Sequence, residues 1–349
     1  MNYSKKDVVF FYAETPIHPG ASSGWGAVDL PVQRESFSGL PVFNASGIKG
    51  AMRQHFEIQE KRTRNGRDEI ADIFGPPTDK ASDHAGSMAV TDAKLLLFPV
   101  RSLYGIFAYV TCPFVLQRFL RDLKIAEGGN ELLEAAIAGL QVNQDEALVA
   151  KLPYEDIPAT LLIVRPGAQK SAVFDEYLFK ALEEDKVSKV VKYIRDNCFP
   201  GDPAYKIWQK GFPRRFAIIH DDVFRDFTRL GAEIITRNQI DDNTGTAVDK
   251  GLWTEEHLPS ETILYSLVLC GDPPLKKKLT DAVAVLNFVK SGNSAYPILG
   301  LDRCRLQIGG DQTVGRGIAM LHFLTSAATK AGGGSQPGAQ NTERKGASK

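Results

Sequence analysis

His18-Pro19-Gly20-Ala21-Ser22-Ser23-Gly24-Trp25-Gly26-Ala27-Val28-Asp29-Leu30-Pro31-Val32-Gln33-Arg34-Glu35 separates a strand-like run from a helix-like run. Glycine and proline around a lone carboxylate make this stretch a loop. A histidine stands upstream of Asp29 and an arginine downstream. Before the loop, Val8-Val9-Phe10-Phe11-Tyr12-Ala13 is rich in β-formers and ends near Pro16, which suits an opening strand. After it, Ser46-Gly47-Ile48-Lys49-Gly50-Ala51-Met52-Arg53 reads as the start of a helix over 46–60. Ser46 is the expected N-cap, and Ile48, Ala51, Met52 and Phe56 form one apolar stripe. Free N–H groups over Ser46–Lys49, with Lys49 and Arg53 four apart on one side, suit a phosphate. An aspartate in a flexible loop beside such a helix is a candidate for cutting a phosphodiester.

Working outward, two strand-like runs, Ala93–Pro99 and Gly105–Thr111, are joined by a polar turn at Arg101-Ser102. Pro113 is placed to open a helix through Leu123, with Phe114, Leu116 or Gln117, Leu120 and Leu123 at helical spacing. Residues 125–213 mix helical patterns, a proline-containing strand near Thr160–Val164 and charged turns, and read as an insertion. Strand patterns resume at Phe216–His220, Ala232–Ile240 and Thr262–Leu269, with a long Gly-, Asp- and Thr-rich loop at Asp241–Pro259. A helix at Asp281–Lys290 and strands near Arg305–Ile308 and Ile318–Phe323 complete the order. The expected organisation is one elaborated domain over 1–324 followed by a disordered tail, 325–349, whose Gly, Ala, Ser, Gln and Lys lack apolar periodicity. This order is compatible with an α+β, ferredoxin-like sheet.

Composition narrows the function classes. The chain has 42 basic and 42 acidic residues, so any nucleic-acid contact must come from local patches. Its four cysteines, Cys112, Cys198, Cys270 and Cys304, are widely separated, without a Cys-x-x-Cys pair, which argues against a structural zinc site and for a reducing compartment. No apolar run approaches the ~20 residues that span a bilayer, and the polar N-terminus lacks a signal-peptide core. A cytoplasmic, membrane-free protein is expected.

Several blocks carry a family resemblance. They are His18-Pro19-Gly20, Val28 to Glu35, Gly39-Leu40-Pro41-Val42, Ser46 to Gly50, Ile73-Phe74-Gly75-Pro76-Pro77-Thr78, Asp92 to Leu96, Phe98 to Ser102, and Gly309-Gly310-Asp311-Gln312-Thr313-Val314-Gly315-Arg316-Gly317. In this order the chain resembles the multi-copy backbone subunits of type III-B CRISPR (Cmr) effectors, within the RAMP superfamily of RNA-binding proteins. The resemblance implies an RRM-like (ferredoxin-like) palm with finger and thumb insertions, the thumb-like loop falling at about 241–259. It also implies a target-RNA endoribonuclease in which Asp29 is essential for cutting, either as the base or as the holder of a weakly bound, hydrated divalent metal, Mg²⁺ or Mn²⁺, that supplies the base. The implied partners are CRISPR guide RNA, complementary target RNA, other copies of the chain packed head to tail, and other Cmr complex subunits.

Each candidate has an ordinary structural alternative. A lone aspartate after a glycine-rich loop is commonly a turn residue. The chemistry nevertheless suits it, because RNA supplies its own 2′-hydroxyl nucleophile and needs only in-line geometry, charge neutralisation and proton transfer. His18 has a pKa range suited to proton transfer or can be a hydrogen-bonded turn residue. Arg34 can staple the loop through Glu35 or Asp29 or hold a phosphate, and a mixed role is expected. Ser46, Lys49 and Arg53 are expected to bind the guide backbone, although a solvated helix face is the commoner role of such cations. Four glycines in the nine residues Gly309–Gly317 permit close approach to a phosphate chain, with Gly310 and Arg316 as contacts. Trp253 can stack on RNA or simply pack. Glu255 of the Glu255-Glu256 pair is a secondary candidate for cleavage, and His257 stands where relatives often have tyrosine. Asp92 and Arg101 are expected to be structural, paired across the sheet. Rival functions are a non-catalytic RNA-holding scaffold and a metal-free guide-processing nuclease using His18. A small-molecule phosphotransferase is disfavoured by the lack of a Gly-x-x-x-x-Gly-Lys-Ser/Thr loop.

Overall fold

Every residue from Asp7 to Ala13 is buried in the opening strand, Lys5–Ala13. In the computed structural model, which describes residues 3–324 apart from 22–25, 81, 127, 152–159, 164–169 and 296, this strand lies inside a sheet covered on both faces. Phe10 packs edge-on against Phe119 of the helix Pro113–Ile125 at 6.0 Å, and Tyr12 against Tyr205 at 5.1 Å. Asp7, of the alternate set, pairs with Lys290 of the helix Ala282–Ser291 at 2.6 Å. Two covered faces explain why the sequence shows an unbroken apolar run where a half-exposed strand would alternate. The expected tail falls outside the described residues.

The core topology follows from the pairing. Lys5–Ala13 runs antiparallel to Ile263–Cys270 on one side and to Ile318–Phe323 on the other. Ile263–Cys270 in turn pairs antiparallel with Ala93–Arg101. The helix Ala45–Thr63 connects the first strand to Ala93–Arg101, and Ala282–Ser291 connects Ile263–Cys270 to Ile318–Phe323. This is the split βαβ arrangement. The two helices meet through Phe56 and Phe288, whose ring centroids are 5.5 Å apart. On the first helix Ile48, Met52 and Phe56 are buried, as the stripe required.

The sheet continues beyond Ala93–Arg101 through Phe107–Thr111, Phe216–Ile219, Glu146–Ala150, Tyr177–Glu184 and Ser171–Phe174. The stretch read as an insertion therefore extends the main sheet with three of its own strands. Thr160–Ile163, expected within a strand, form none, and Val164 is outside the described residues.

Three local expectations are corrected. The first helix begins at Ala45 with Asn44 as its N-cap, so Ser46 sits exposed in the first turn instead of capping it. The Ala45 N–H donates to Asp92 Oδ1 at 2.7 Å, a carboxylate being favoured at the positive end of a helix. Asp92 is therefore not paired with Arg101, which instead meets Asp175 at 2.5 Å. Finally, the expected loop at 241–259 is mostly strand: Ala247–His257 pairs antiparallel with Glu233–Ile240 in a separate hairpin. The turn lies between them, where Asp241 Oδ1 accepts from the N–H groups of Asn243 (2.8 Å) and Thr244 (2.9 Å).

Candidate functional site

The strand Ala247–His257 is the spine onto which the His18–Glu35 loop folds. Leu30 N–H donates to Thr254 O at 3.0 Å and Glu256 N–H donates to Leu30 O at 2.9 Å, so the loop adds along the hairpin's free edge. Capping an edge with a third segment satisfies polar groups that would otherwise point at solvent. Alternation then divides the side chains of the spine between two faces.

Thr254 and Glu256 hold the loop. Thr254 N–H and Oγ1–H donate to Asp29 Oδ2 at 2.7 and 2.8 Å, and Asp29 N–H donates back to Thr254 Oγ1 at 3.0 Å. Asp29 itself is exposed. Hydrogen bonds from Thr254, the backbone donor first, hold its carboxyl below the usual aspartate range, so it is an anion at neutral pH. Glu256 is buried; its Oε2 accepts from Val32 N–H at 2.9 Å and its Oε1 meets Arg34 Nη2 at 2.5 Å. Arg34 also donates to the carbonyls of Gly39 and Thr228, both at 3.2 Å. Arg34 thus staples the loop, with Glu256 as its ion-pair partner and neither Glu35 nor Asp29. Glu35 is engaged by Arg118 through two 2.7 Å hydrogen bonds.

Glu255 and His257 lie on the other set of the spine. His257 Nε2 is 3.3 Å from Asp311 Oδ2 and 3.9 Å from Glu255 Oε2. Arg237 Nη1 reaches Asp311 Oδ1 at 2.7 Å and Glu255 Oε2 at 3.2 Å, while Trp253 Nε1–H donates to Glu255 Oε1 at 2.7 Å. Trp253 is half-buried, with the Arg237 guanidinium 6.0 Å from its ring centroid. Donor atoms of Glu255, His257 and Asp311 lie within 4.8 Å of one another, close enough to share a metal ion, yet Arg237 already bridges the two carboxylates. Burial, and then the nearby His18, push the His257 imidazole down.

His18 is buried beneath the glycine loop. Its Nδ1 is 2.6 Å from Glu256 O; a carbonyl only accepts, so Nδ1 carries the proton and Nε2 is bare in the neutral ring. Its ring centroid is 5.2 Å from that of His257, and Gly310 N–H donates to its carbonyl at 3.0 Å. Gly309 has φ +81°, and a Cβ there would stand 2.4 Å from His18 O, which is why glycine is required. Arg316 ends 3.6 Å from Glu233.

The structure thus brings His18, Asp29, Arg34, Trp253, Glu255 and Gly310 to one hairpin root. Lys49 and Arg53 sit further along their helix with protein partners. Lys49 Nζ donates to Met88 O at 2.8 Å and burial depresses its pKa; Arg53 meets Glu57 at 2.7 Å and Pro76 O at 3.3 Å. Thr254 and Arg237 were missed in the sequence, and Asp311 was quoted only within a motif. Their partners are far away in the chain, and no local spacing marks them.

An α+β sheet built on a split βαβ core, with a loop, a hairpin and a glycine turn converging at one root, is the setting in which this family is recognised. The RAMP superfamily model matches residues 10–319, and the chain belongs to that family. It is 38% identical over 325 residues to the CRISPR system Cmr endoribonuclease Cmr4 of Pyrococcus furiosus, covering 91% of this chain and 95% of that one. It is 24% identical to the CMR subunit Cmr4 of Saccharolobus solfataricus, over 90% of this chain and 96% of that protein. The crystal structure of oligomeric Cmr4 from Pyrococcus furiosus superposes with a TM-score of 0.63 at 31% identity, covering 91% of this chain and 98% of that one. A chain of a type III-B Cmr-β complex bound to cognate target RNA shares the fold, with a TM-score of 0.65 at 21% identity and coverages of 92% and 98%. Among the described residues, no helix is long and apolar enough to cross a membrane.

Proposed function

We propose that this chain is an RNA-cutting backbone subunit of a type III-B CRISPR ribonucleoprotein, with Asp29 at its reaction centre. It holds guide RNA, repeats head to tail with other copies, joins other subunits of the effector, and cuts complementary target RNA at regular intervals. Its 38% identical relative is named an endoribonuclease, and a 31% identical one is described as oligomeric. A heterologous, non-closing contact between copies would generate the regular spacing, and base pairing with the guide would select the sequence while the protein reads backbone and shape.

One observation carries the assignment of the centre: Asp29 is an exposed carboxylate, ionised and fixed by three hydrogen bonds to a single residue of the hairpin. In the reaction the target's 2′-hydroxyl attacks the adjacent phosphorus, the P–O5′ bond breaks, the leaving 5′-oxygen takes a proton from water, and a 2′,3′-cyclic phosphate and a 5′-hydroxyl result. Asp29 accepts the 2′-hydroxyl proton, directly or through one water. Both Thr254 bonds fall on Oδ2, so neither occupies Oδ1. This donor set fits a hard cation held by one oxygen and otherwise by water. Mg²⁺ or Mn²⁺ on Oδ1 would supply charge neutralisation at the phosphate. His18, buried with Nδ1 committed to Glu256 O, supports the spine, and Glu255 anchors the glycine turn through Arg237.

The test is cleavage of a labelled complementary RNA by the reconstituted effector in Mg²⁺ and in EDTA, with analysis of the product ends. Evenly spaced cuts with cyclic-phosphate ends that vanish in EDTA support the proposal. Cuts that persist in EDTA, or products ending in 3′-hydroxyl, overturn it.

A further inference from the structure

We infer that Thr254 is the positioning residue for the Asp29 carboxylate and that the hairpin, more than the glycine-rich loop, sets where the reaction occurs. The inference rests on Asp29 being the reaction centre. The Thr254 hydroxyl has one hydrogen, which it gives to Asp29 Oδ2 at 2.8 Å, while its lone pair takes the Asp29 N–H at 3.0 Å. With the Thr254 N–H on the same oxygen at 2.7 Å, the three bonds close rings that lock the side-chain torsions of both residues. Thr254 gives the two largest influences on the Asp29 carboxylate, its backbone donor first and its hydroxyl second. A loop built from glycine and proline cannot by itself hold a carboxylate to the few tenths of an ångström that in-line chemistry needs. Thr254 can, because its strand is paired on one edge with Glu233–Ile240 and on the other with Leu30.

The same face shows where substrate would lie. Ile234 and Leu252, neighbours of Thr254 on that face, are 61% and 67% exposed. Apolar side chains presented to solvent beside an ionised carboxylate suit nucleobase faces packed against the hairpin, with the phosphate nearer the carboxylate. Since Asp29 rides on the hairpin, seating RNA against those side chains also places the carboxylate.

The test is single-turnover target cleavage by the intact guide-loaded effector carrying Thr254→Val, Thr254→Ser or Asp29→Asn in this subunit. Valine keeps the shape and strand preference of threonine and removes only the hydroxyl. Thr254→Val is expected to slow cleavage about tenfold or more, the range in which outer-shell supports act, with target affinity and unfolding temperature unchanged. Thr254→Ser restores the hydroxyl and is expected to recover most of the rate, a rescue that a purely packing role would not give. If Asp29→Asn is inactive but Thr254→Val cuts at the wild-type rate, the positioning inference alone is overturned. If Asp29→Asn cuts normally, the reaction centre lies elsewhere and both fall.

Discussion

Replacing Glu256 with alanine should loosen the Asp29 loop from its spine, and the cost can be worked out from contacts. Glu256 Oε1 meets Arg34 Nη2 at 2.5 Å and Oε2 takes the Val32 N–H at 2.9 Å, with side-chain exposures of 22% for Arg34 and 9% for Glu256. Removing one partner of a buried pair costs about 3–5 kcal/mol, mostly from the charge left behind. Arg34 is partly wet and keeps the carbonyls of Gly39 and Thr228, which reduces the figure. Roughly 2–3 kcal/mol remains, including the orphaned Val32 N–H. Unfolding entropy of about 2.1 cal/mol/K per residue gives about 0.7 kcal/mol/K for a folded chain of about 320 residues, hence a Tm lowered by about 3–4 °C. Calorimetry at pH 7 measures this, and Glu256→Gln, which keeps an acceptor but no charge, should fall between. An alanine variant melting within about 1 °C of wild type would show that the ion pair does not hold the loop. Target cleavage should fall with the loss, because Leu30 and Asp29 are carried on the same segment.

Burial pushes the Glu261 carboxyl up to about 7, while the hydroxyls of Tyr12 and Tyr109 donate to its Oε2. Its folded pKa lies above the unfolded value, so its contribution to stability is full below about pH 4.5 and is lost as pH rises through about 7. Glu261→Gln should remove that slope and stabilise the chain at pH 8 by at most about 3 kcal/mol; parallel stability curves for the two proteins between pH 5 and 8 would count against it. Gly309→Ala should cost about 1–3 kcal/mol, from positive φ and displacement of the His18 carbonyl, whereas Gly315→Ala, where a Cβ meets nothing within 4 Å, should cost only about 1. Equal urea midpoints for the two variants would mean that the glycine turn does not press on His18.

Much of the core could be read directly from the residues. The run from Val8 to Ala13 announced a strand because both its faces are covered, and Ile48, Met52 and Phe56 announced a helix through their spacing. On the helix that Pro113 opens, the stripe is rotated by a residue: Val115, Leu116, Phe119 and Leu123 are buried, whereas Phe114 is 37% exposed. The second hairpin strand was read as loop because Asp249, Lys250 and Gly251 are poor local strand formers. Ladder pairing with Glu233–Ile240 and capping by Leu30, contacts remote in sequence, supply what local preference lacks. The same distance hid Thr254 from Asp29, 225 residues away, and Arg237 from Asp311, 74 away. Lys49 and Arg53 carried the right charge for phosphate, but the sequence could not show that Met88 O, Glu57 and Pro76 O would engage them.

The decisive experiment replaces Asp29 with asparagine, which keeps the shape and an acceptor for Thr254 but cannot hold the charge. It compares single-turnover cleavage and target affinity in the assembled, guide-loaded effector. Target RNA bound as tightly as by wild type, with every evenly spaced cut gone, is expected if each copy cuts with its own Asp29. Wild-type cutting by the asparagine protein would leave this chain an RNA-holding scaffold, with the nuclease in another part of the complex.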